Sequence, residues 1–247
     1  MLLILMYHQI IDPKIDAEIN INKFQQHLSY LQQNFNIISP GQAITVKNKV
    51  SICLTFDDAY IDFYHYIFPI LKKFNIPATL AIPVGLIEDT TSIDIKTRLA
   101  VNYPDGLNSN LSFNSPLCTW SEIRTMVASG LVYPASHSLT HKNLAEINFD
   151  QAYQEICVSK RIILTKLENI TETLVYPFGA FNRSIQDMAN SHYKYVMRIG
   201  GASNNSWNQK ILYRIDADEF WKDNKKISLS NLILWKIKYW CNRIRGK

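Results

Sequence analysis

Two acids side by side, Asp57-Asp58, and two histidines four apart, His137 and His141, are the residues whose types and spacing could do chemistry together. Neighbouring strand residues face opposite sides, so paired carboxylates can share a site only where a strand ends and the chain turns. Imidazoles four apart can reach one ion from a helical turn or a compact loop, and zinc accepts both imidazole nitrogen and carboxylate oxygen. His137, His141 and one aspartate would make a three-ligand site with a position left for water. The other aspartate would be free to act as base toward a water whose pKa the cation lowers. His8 is available to protonate a leaving group, because imidazoles titrate near neutrality. Tyr176-Pro177-Phe178-Gly179 has the make-up of a tight turn whose N–H groups could hold an oxyanion. Taken singly, each feature also has a plainer reading: an acidic turn or helix cap, surface or hydrogen-bonded histidines, a core histidine, a turn.

Position along the chain links them. Short apolar runs rich in β-branched and aromatic residues recur at Leu2–Tyr7, Ser51–Phe56, Ala78–Pro83, Leu131–Ala135, Thr173–Tyr176, Tyr195–Ile199 and Ile211–Ile215. Their unbroken apolar character predicts strands buried on both faces, as in a parallel sheet. His8 follows the first run, Asp57 and Asp58 the second, His137 and His141 the fourth, and the Pro-Phe-Gly turn the fifth. In parallel barrels the loops beyond the strand C-termini share one face, so residues distant in sequence converge there.

Helical spacing fills most of the gaps. Phe24, Leu28, Leu31 and Phe35 recur on one face, as do Tyr64, Ile67, Leu71 and Phe74, where Pro69 interrupts. Thr119-Trp-Ser-Glu122 has the form of a capping box for a helix that Gly130 closes, and Asp150 is placed to cap a longer helix carrying Ile156, Ile163 and Leu167. Strand then helix, repeated, fits an open doubly wound sheet or a closed barrel, and seven units favour the barrel. Residues 84–118 have weaker periodicity and read as a long loop insertion on one rim.

The composition bounds the function. With 247 residues, 47% hydrophobic and 19% charged, the chain is a globular protein with a sizeable core. The net charge of +5 is uneven: residues 222–247 hold eight basic side chains against Asp223 alone, and residues 1–221 are slightly acidic. A nearly neutral body argues against a nucleic-acid groove. Cys53, Cys118, Cys157 and Cys241 form no C-x-x-C pair, so neither a disulfide scaffold nor a cysteine zinc site is expected. The apolar start Met1–Met6 lacks a basic leader and a cleavage site, and no apolar run approaches the roughly 20 residues of a membrane span. A cytoplasmic protein is expected, with the inner face of the membrane as its alternative address.

Thr55-Phe-Asp-Asp-Ala-Tyr60, Ser136-His-Ser-Leu-Thr-His141 and Tyr176-Pro-Phe-Gly179, in this order and at these separations, resemble the NodB-type polysaccharide deacetylases, carbohydrate esterase family four. Tyr7-His8-Gln-Ile10 further resembles the circularly permuted branch that includes poly-N-acetylglucosamine deacetylases. The similarity covers about residues 4–215. It implies a distorted (β/α)7 barrel in a single domain, and metal-dependent removal of acetyl groups from N-acetylated sugars. By that resemblance Asp57 is the catalytic base, Asp58, His137 and His141 the metal triad, His8 the general acid and the Phe178 N–H the oxyanion donor. Two positions depart from the pattern. Val175-Tyr-Pro-Phe178 lacks the arginine that many members place there to orient the base, and Arg214, after the seventh strand, is a candidate to replace it. Ala59 stands where glycine is frequent, which suits the chain unless the position needs a positive φ.

The metal is expected to be zinc, with Co2+, Ni2+, Fe2+ or Mn2+ able to serve a His2Asp set under different supply. The substrate class is an N-acetylated polysaccharide or lipid-linked sugar; a carbohydrate-binding relative without activity, or a barrel glycosidase, are the competing functions. Residues 1–221 are read as the barrel and 222–247 as a basic amphipathic tail. In Ser228–Lys247, Leu229, Leu232, Ile233, Ile237, Trp240, Cys241 and Ile244 fall near one face. Either that face packs on the barrel or it contacts an anionic membrane surface.

Overall fold

The computed structural model describes residues 1–44, 49–103, 107, 111–169 and 171–245. The described residues form eight parallel strands: β1 (Leu2–Tyr7), β2 (Asn36–Ile37), β3 (Ser51–Phe56), β4 (Ala78–Ile82), β5 (Val132–Ser136), β6 (Thr173–Val175), β7 (Tyr195–Ile199) and β8 (Leu212–Asp216). Seven close on themselves in the order β1, β3, β4, β5, β6, β7, β8, with β8 pairing back to β1. The two-residue β2 extends the sheet beside the start of β3. This is the (β/α)7 barrel that the resemblance implies, with each expected strand found within about two residues of its expected ends. Only β2 lacked a signal, being too short to show a period.

Alternation along the strands sorts two cores. Leu2, Ile4, Cys53, Ala81, Ala135, Val175, Met197 and Leu212 fill the barrel interior, while Leu3, Leu5, Tyr7, Leu54 and Phe56 face the surrounding helices. The long first helix, Ala17–Asn34, is capped by Asp16 and buries Phe24, Leu28 and Leu31 against β1 and β3 at the expected spacing. Pro69 has a visible consequence: Phe63–Ile67 is a π-helical turn, and an α-helix restarts at Phe68–Phe74 with the proline in its first turn. Proline lacks an N–H and crowds the carbonyl four residues back, so the chain widens its turn there. Trp120–Ala128 opens with the expected Thr119/Glu122 capping box. The next helical run, Phe149–Tyr153, Gln154–Val158 and Ser159–Leu167, starts earlier than expected, because Asn148 and Gln151 form its capping box and Asp150 lies inside the first turn. The rim insertion contains the short turns Val84–Leu86, Ile95–Leu99 and Leu111–Asn114, and it is anchored by buried Arg98, bidentate to Glu122 and bonded to the Ser115 and Leu117 carbonyls.

Two buried carboxylates clamp rim loops from below. Glu155 accepts the Leu139 and Thr140 N–H groups at 2.8 and 2.7 Å and the Thr140 hydroxyl, holding the segment between His137 and His141. Across that segment, Val84 and Gly85 donate to the Ser138 and Leu139 carbonyls, and a side chain at Gly85 would meet the Leu139 oxygen at 2.7 Å. Asp62 accepts the Ile10 and Ile11 N–H groups at 2.7 and 3.0 Å, fixing the loop that follows β1. The C-terminal helix Leu229–Ile244, capped by Ser228, packs on the barrel through Trp235 and Tyr239. Of the apolar face whose covering the sequence leaves open, Leu232 packs partly against the core, while Leu229, Ile233, Ile237, Trp240 and Ile244 are turned outward. Among the described residues no helix is long and apolar enough to cross a membrane.

Two expected outcomes follow from buried polar groups. Glu155→Ala strands two N–H groups and should cost about 2–5 kcal/mol in urea unfolding, while Glu155→Gln, which keeps an accepting oxygen, should cost less than half as much. His27, buried beneath Tyr7 with its Nε2 2.8 Å from the phenol oxygen, has its pKa lowered by burial from 6.5 to about 4. Between those values the unfolded chain binds a proton that the folded one refuses, so this stabilisation is full above about 6.5 and fades as pH falls. Relative to His27→Gln, the wild type should lose stability at up to about 1.4 kcal/mol per pH unit in that window; a constant offset would contradict the assignment.

Candidate active site

The strand mouths bring the expected residues to one place. Asp57 continues β3, its N–H bonded to the Tyr7 carbonyl, and the chain then turns through Asp58 and Ala59 at φ of 69° and 55°. That left-handed turn lets both carboxylates face one pocket. Asp58 tolerates the conformation, whereas Ala59 carries a strain of about 1–2 kcal/mol. So the position does need a positive φ, and the methyl is accommodated there, fully buried. The turn is pinned by the Ala59 carbonyl accepting Cys118 N–H and by Ile61 N–H donating to Pro116.

His137 and His141 lie on the loop after β5, where Ser138 and His141 also have positive φ. Ser138 Oγ accepts the His141 N–H, and Ser136 Oγ accepts the Ser138 N–H. The Nδ1 of His137 is 2.8 Å from the Val175 carbonyl, so it carries the proton and leaves Nε2 as a lone-pair donor. Asp58 Oδ1 is 3.3 Å from His141 Nε2 and 3.5 Å from His137 Nε2, and one ligand atom from each residue lies within 4.8 Å of the others. Ligands about 2.1 Å from a tetrahedral ion stand about 3.4 Å apart, so the spacing fits. Asp58 Oδ1 is buried with no hydrogen-bond partner among the described residues, the condition a cation would relieve. The donor set therefore suits a divalent metal.

Asp57 sits beside this trio, its Oδ2 3.9 Å from His137 Nε2. Arg214, on β8, crosses the barrel interior and grips it with Nη1 and Nη2 at 2.6 and 2.8 Å, while Nη1 also reaches Thr55 Oγ1 at 3.2 Å. Thr55 in turn donates to the Leu5 carbonyl. Burial pushes the Asp57 carboxyl up, but the charges of Arg214 and His137, the guanidinium bonds and His8 outweigh it and hold the group well below the usual carboxylate range. Asp58 has no such partner. Burial, then the neighbouring Asp57 charge, push it well above that range against the pull of Arg214. Burial lowers His137 to about 3 and moves His141 in the same direction.

His8 approaches from the β1 mouth, Nε2 3.9 Å from Asp57 Oδ2, part-exposed and packed at 4.7 Å on the Tyr103 ring. Gln9 ties the rim insertion to this loop, accepting the Tyr103 N–H and donating to the Val101 carbonyl. The Pro177–Gly179 turn is a 3-10 turn with Phe178 at φ 57°, its ring exposed and 4.9 Å from His141. Gly179 has φ 65° where an added Cβ would lie 3.1 Å from the Ile199 nitrogen. Every residue singled out in the sequence thus reaches this rim. Thr55, Gln9, Asp62, Tyr103 and Glu155 were not anticipated. Gln9 adjoins His8 in a recognised phrase, but Asp62, Tyr103 and Glu155 acquire their roles through contacts remote in sequence and leave no local signal.

Known proteins share this architecture. The family model described as polysaccharide deacetylase matches residues 45–196. YxkH of Bacillus subtilis (strain 168), named for the same family, is 26% identical over 186 residues, 72% of this chain and 57% of that protein. The poly-β-1,6-N-acetyl-D-glucosamine N-deacetylase of Escherichia coli (strain K12) is 38% identical over 88 residues, 36% of this chain and 12% of that protein. The chain thus spans less than two thirds of the length of these curated relatives. Among solved structures, IcaB from Ammonifex degensii superposes with a TM-score of 0.70 at 19% identity, covering 90% of this chain and 94% of that one. A de-N-acetylase from Aggregatibacter actinomycetemcomitans gives 0.68 at 20% identity, covering 95% and 99%. These two share the fold. Since the family match spans more than half of the sequence, the chain belongs to the polysaccharide deacetylase family.

Proposed function

We propose that this protein is a metal-dependent hydrolase that removes N-acetyl groups from amino sugars of a polysaccharide or lipid-linked glycan. The observation that carries the reading is the orphaned Asp58 oxygen beside His137 and His141, with the Arg214-held Asp57 and His8 around it. The partial match to the E. coli N-deacetylase supports N-acetylglucosamine as the sugar. Asp58, His137 and His141 would hold a divalent cation, zinc by its donor preference, which supplies Lewis acidity toward water and the acetyl carbonyl. Asp57 accepts the proton of the attacking water, and Arg214 keeps that carboxylate ionised and aimed. The Phe178 N–H, presented by its left-handed turn, donates to the oxyanion. His8 gives a proton to the departing amine, completing hydrolysis to acetate and a free amino sugar. Four free cysteines suit a reducing, cytoplasmic compartment.

A non-catalytic carbohydrate-binding relative would not need this complete set, and a two-carboxylate glycosidase would not need the histidines. Acetate release from N-acetylglucosamine oligomers should vanish with a chelator and return with zinc; chelator-resistant activity would exclude this reading. Asp57→Asn should keep its metal content and lose about 10²- to 10⁴-fold in kcat. His137→Ala or His141→Ala should lose the metal itself, measured by elemental analysis. His8→Ala should keep its metal content and lose most turnover; undiminished turnover would remove His8 from the mechanism.

A further inference from the structure

The helix Leu229–Ile244 has two apolar faces, and the barrel uses one. Trp235 and Tyr239 are buried, packed edge-on against Phe220 at 5.9 Å and Tyr213 at 6.1 Å. At 100° per residue, Leu229, Ile233, Ile237, Trp240 and Ile244 fall within an arc of about 80° on the opposite side. They are 73%, 53%, 55%, 53% and 84% exposed. Five large apolar side chains in one outward stripe, on a helix already anchored from behind, are far from the scattered exposure normal for a surface. Helical geometry puts Lys236 and Arg243 along one margin of the stripe, about 20–40° from its edge, whereas Lys238 and Arg245 lie well around toward the barrel side. None of these four forms an ion pair among the described residues, and no acid follows Asp223 in the chain. Two copies meeting through this face would bring their cationic margins together without compensating acids. An anionic surface with an apolar interior satisfies both the stripe and its cationic margin.

We propose that this outward face docks on a bilayer containing anionic phospholipid. The 16-residue helix lies in the interfacial plane, its stripe among the acyl boundary and Lys236 and Arg243 at the phosphates. The proposal is independent of the catalytic reading, because adsorption is measured without turnover. The test is co-sedimentation of the whole protein with vesicles of phosphatidylglycerol and phosphatidylethanolamine, and with vesicles of phosphatidylcholine alone. The wild type should pellet with the first far more than with the second, less so at high salt. Ile237→Ser with Trp240→Ser should weaken the anionic binding by about tenfold or more, and separately Lys236→Gln by about fivefold. Thermal unfolding by circular dichroism checks that both variants remain folded; the substituted residues are all exposed. Wild-type protein that ignores anionic vesicles, or apolar variants that bind as well as wild type, would overturn the proposal. So would a wild-type dimer that Ile237→Ser with Trp240→Ser converts to monomer, with no vesicle binding by either, because a second copy would then cover the stripe.

Discussion

Asp57 and Asp58 are consecutive, almost fully buried and directed into one pocket, and that juxtaposition sets the requirements for the rest of the rim. Two ionised carboxylates cannot share a dry site unless positive charge arrives for each. Arg214 meets the first requirement with two hydrogen bonds, and its charge leaves Asp57 ionised. The second is left open: Asp58 faces two imidazoles that burial keeps neutral, and its Oδ1 has no partner among the described residues. The asymmetry separates two chemically identical side chains into one gripped by an arginine and one with an unpartnered oxygen beside two imidazoles.

That arrangement depends on backbone conformations the chain would not adopt by itself. Asp58, Ala59, Ser138, His141 and Phe178 all have positive φ, and none is glycine. Each costs free energy locally, so surrounding contacts must over-determine the turns. They do so through groups away from the chemistry. Glu155 gathers the N–H groups of the histidine loop, Gly85 lets the neighbouring loop close onto it, and Asp62 holds the segment after His8. Strain is concentrated where the carboxylates, the histidines and the Pro177–Gly179 turn converge, and it is offset by buried hydrogen bonds one layer below.

The arginine shows how one requirement can be met from another part of the fold. Val175-Tyr-Pro-Phe178 carries no arginine, and the guanidinium that grips Asp57 arrives instead from β8 through the barrel interior. A closed barrel makes this exchange available, since inward residues on every strand point toward the same axis. The same closure places His8, from β1, opposite the histidines of the β5 loop although more than a hundred residues separate them.

The strands were legible because a parallel barrel buries both faces of each one, leaving unbroken apolar runs such as Leu2–Tyr7 and Ser51–Phe56. The residues after those runs could be read as a rim because all strand C-termini point the same way. The amphipathic tail was also visible, but not which side faces the protein: periodicity reports that a helix has an apolar stripe and is silent on what covers it. Here Trp235 and Tyr239, outside the main stripe, make the buried contact, and apart from Leu232 the stripe looks outward. Likewise the roles of Glu155, Asp62 and Tyr103, the orphaned Asp58 oxygen and the Arg214 grip exist only once distant segments meet. Local pattern encodes what each segment buries; which charges and hydrogen-bond donors end up opposite one another depends on closure of the whole barrel.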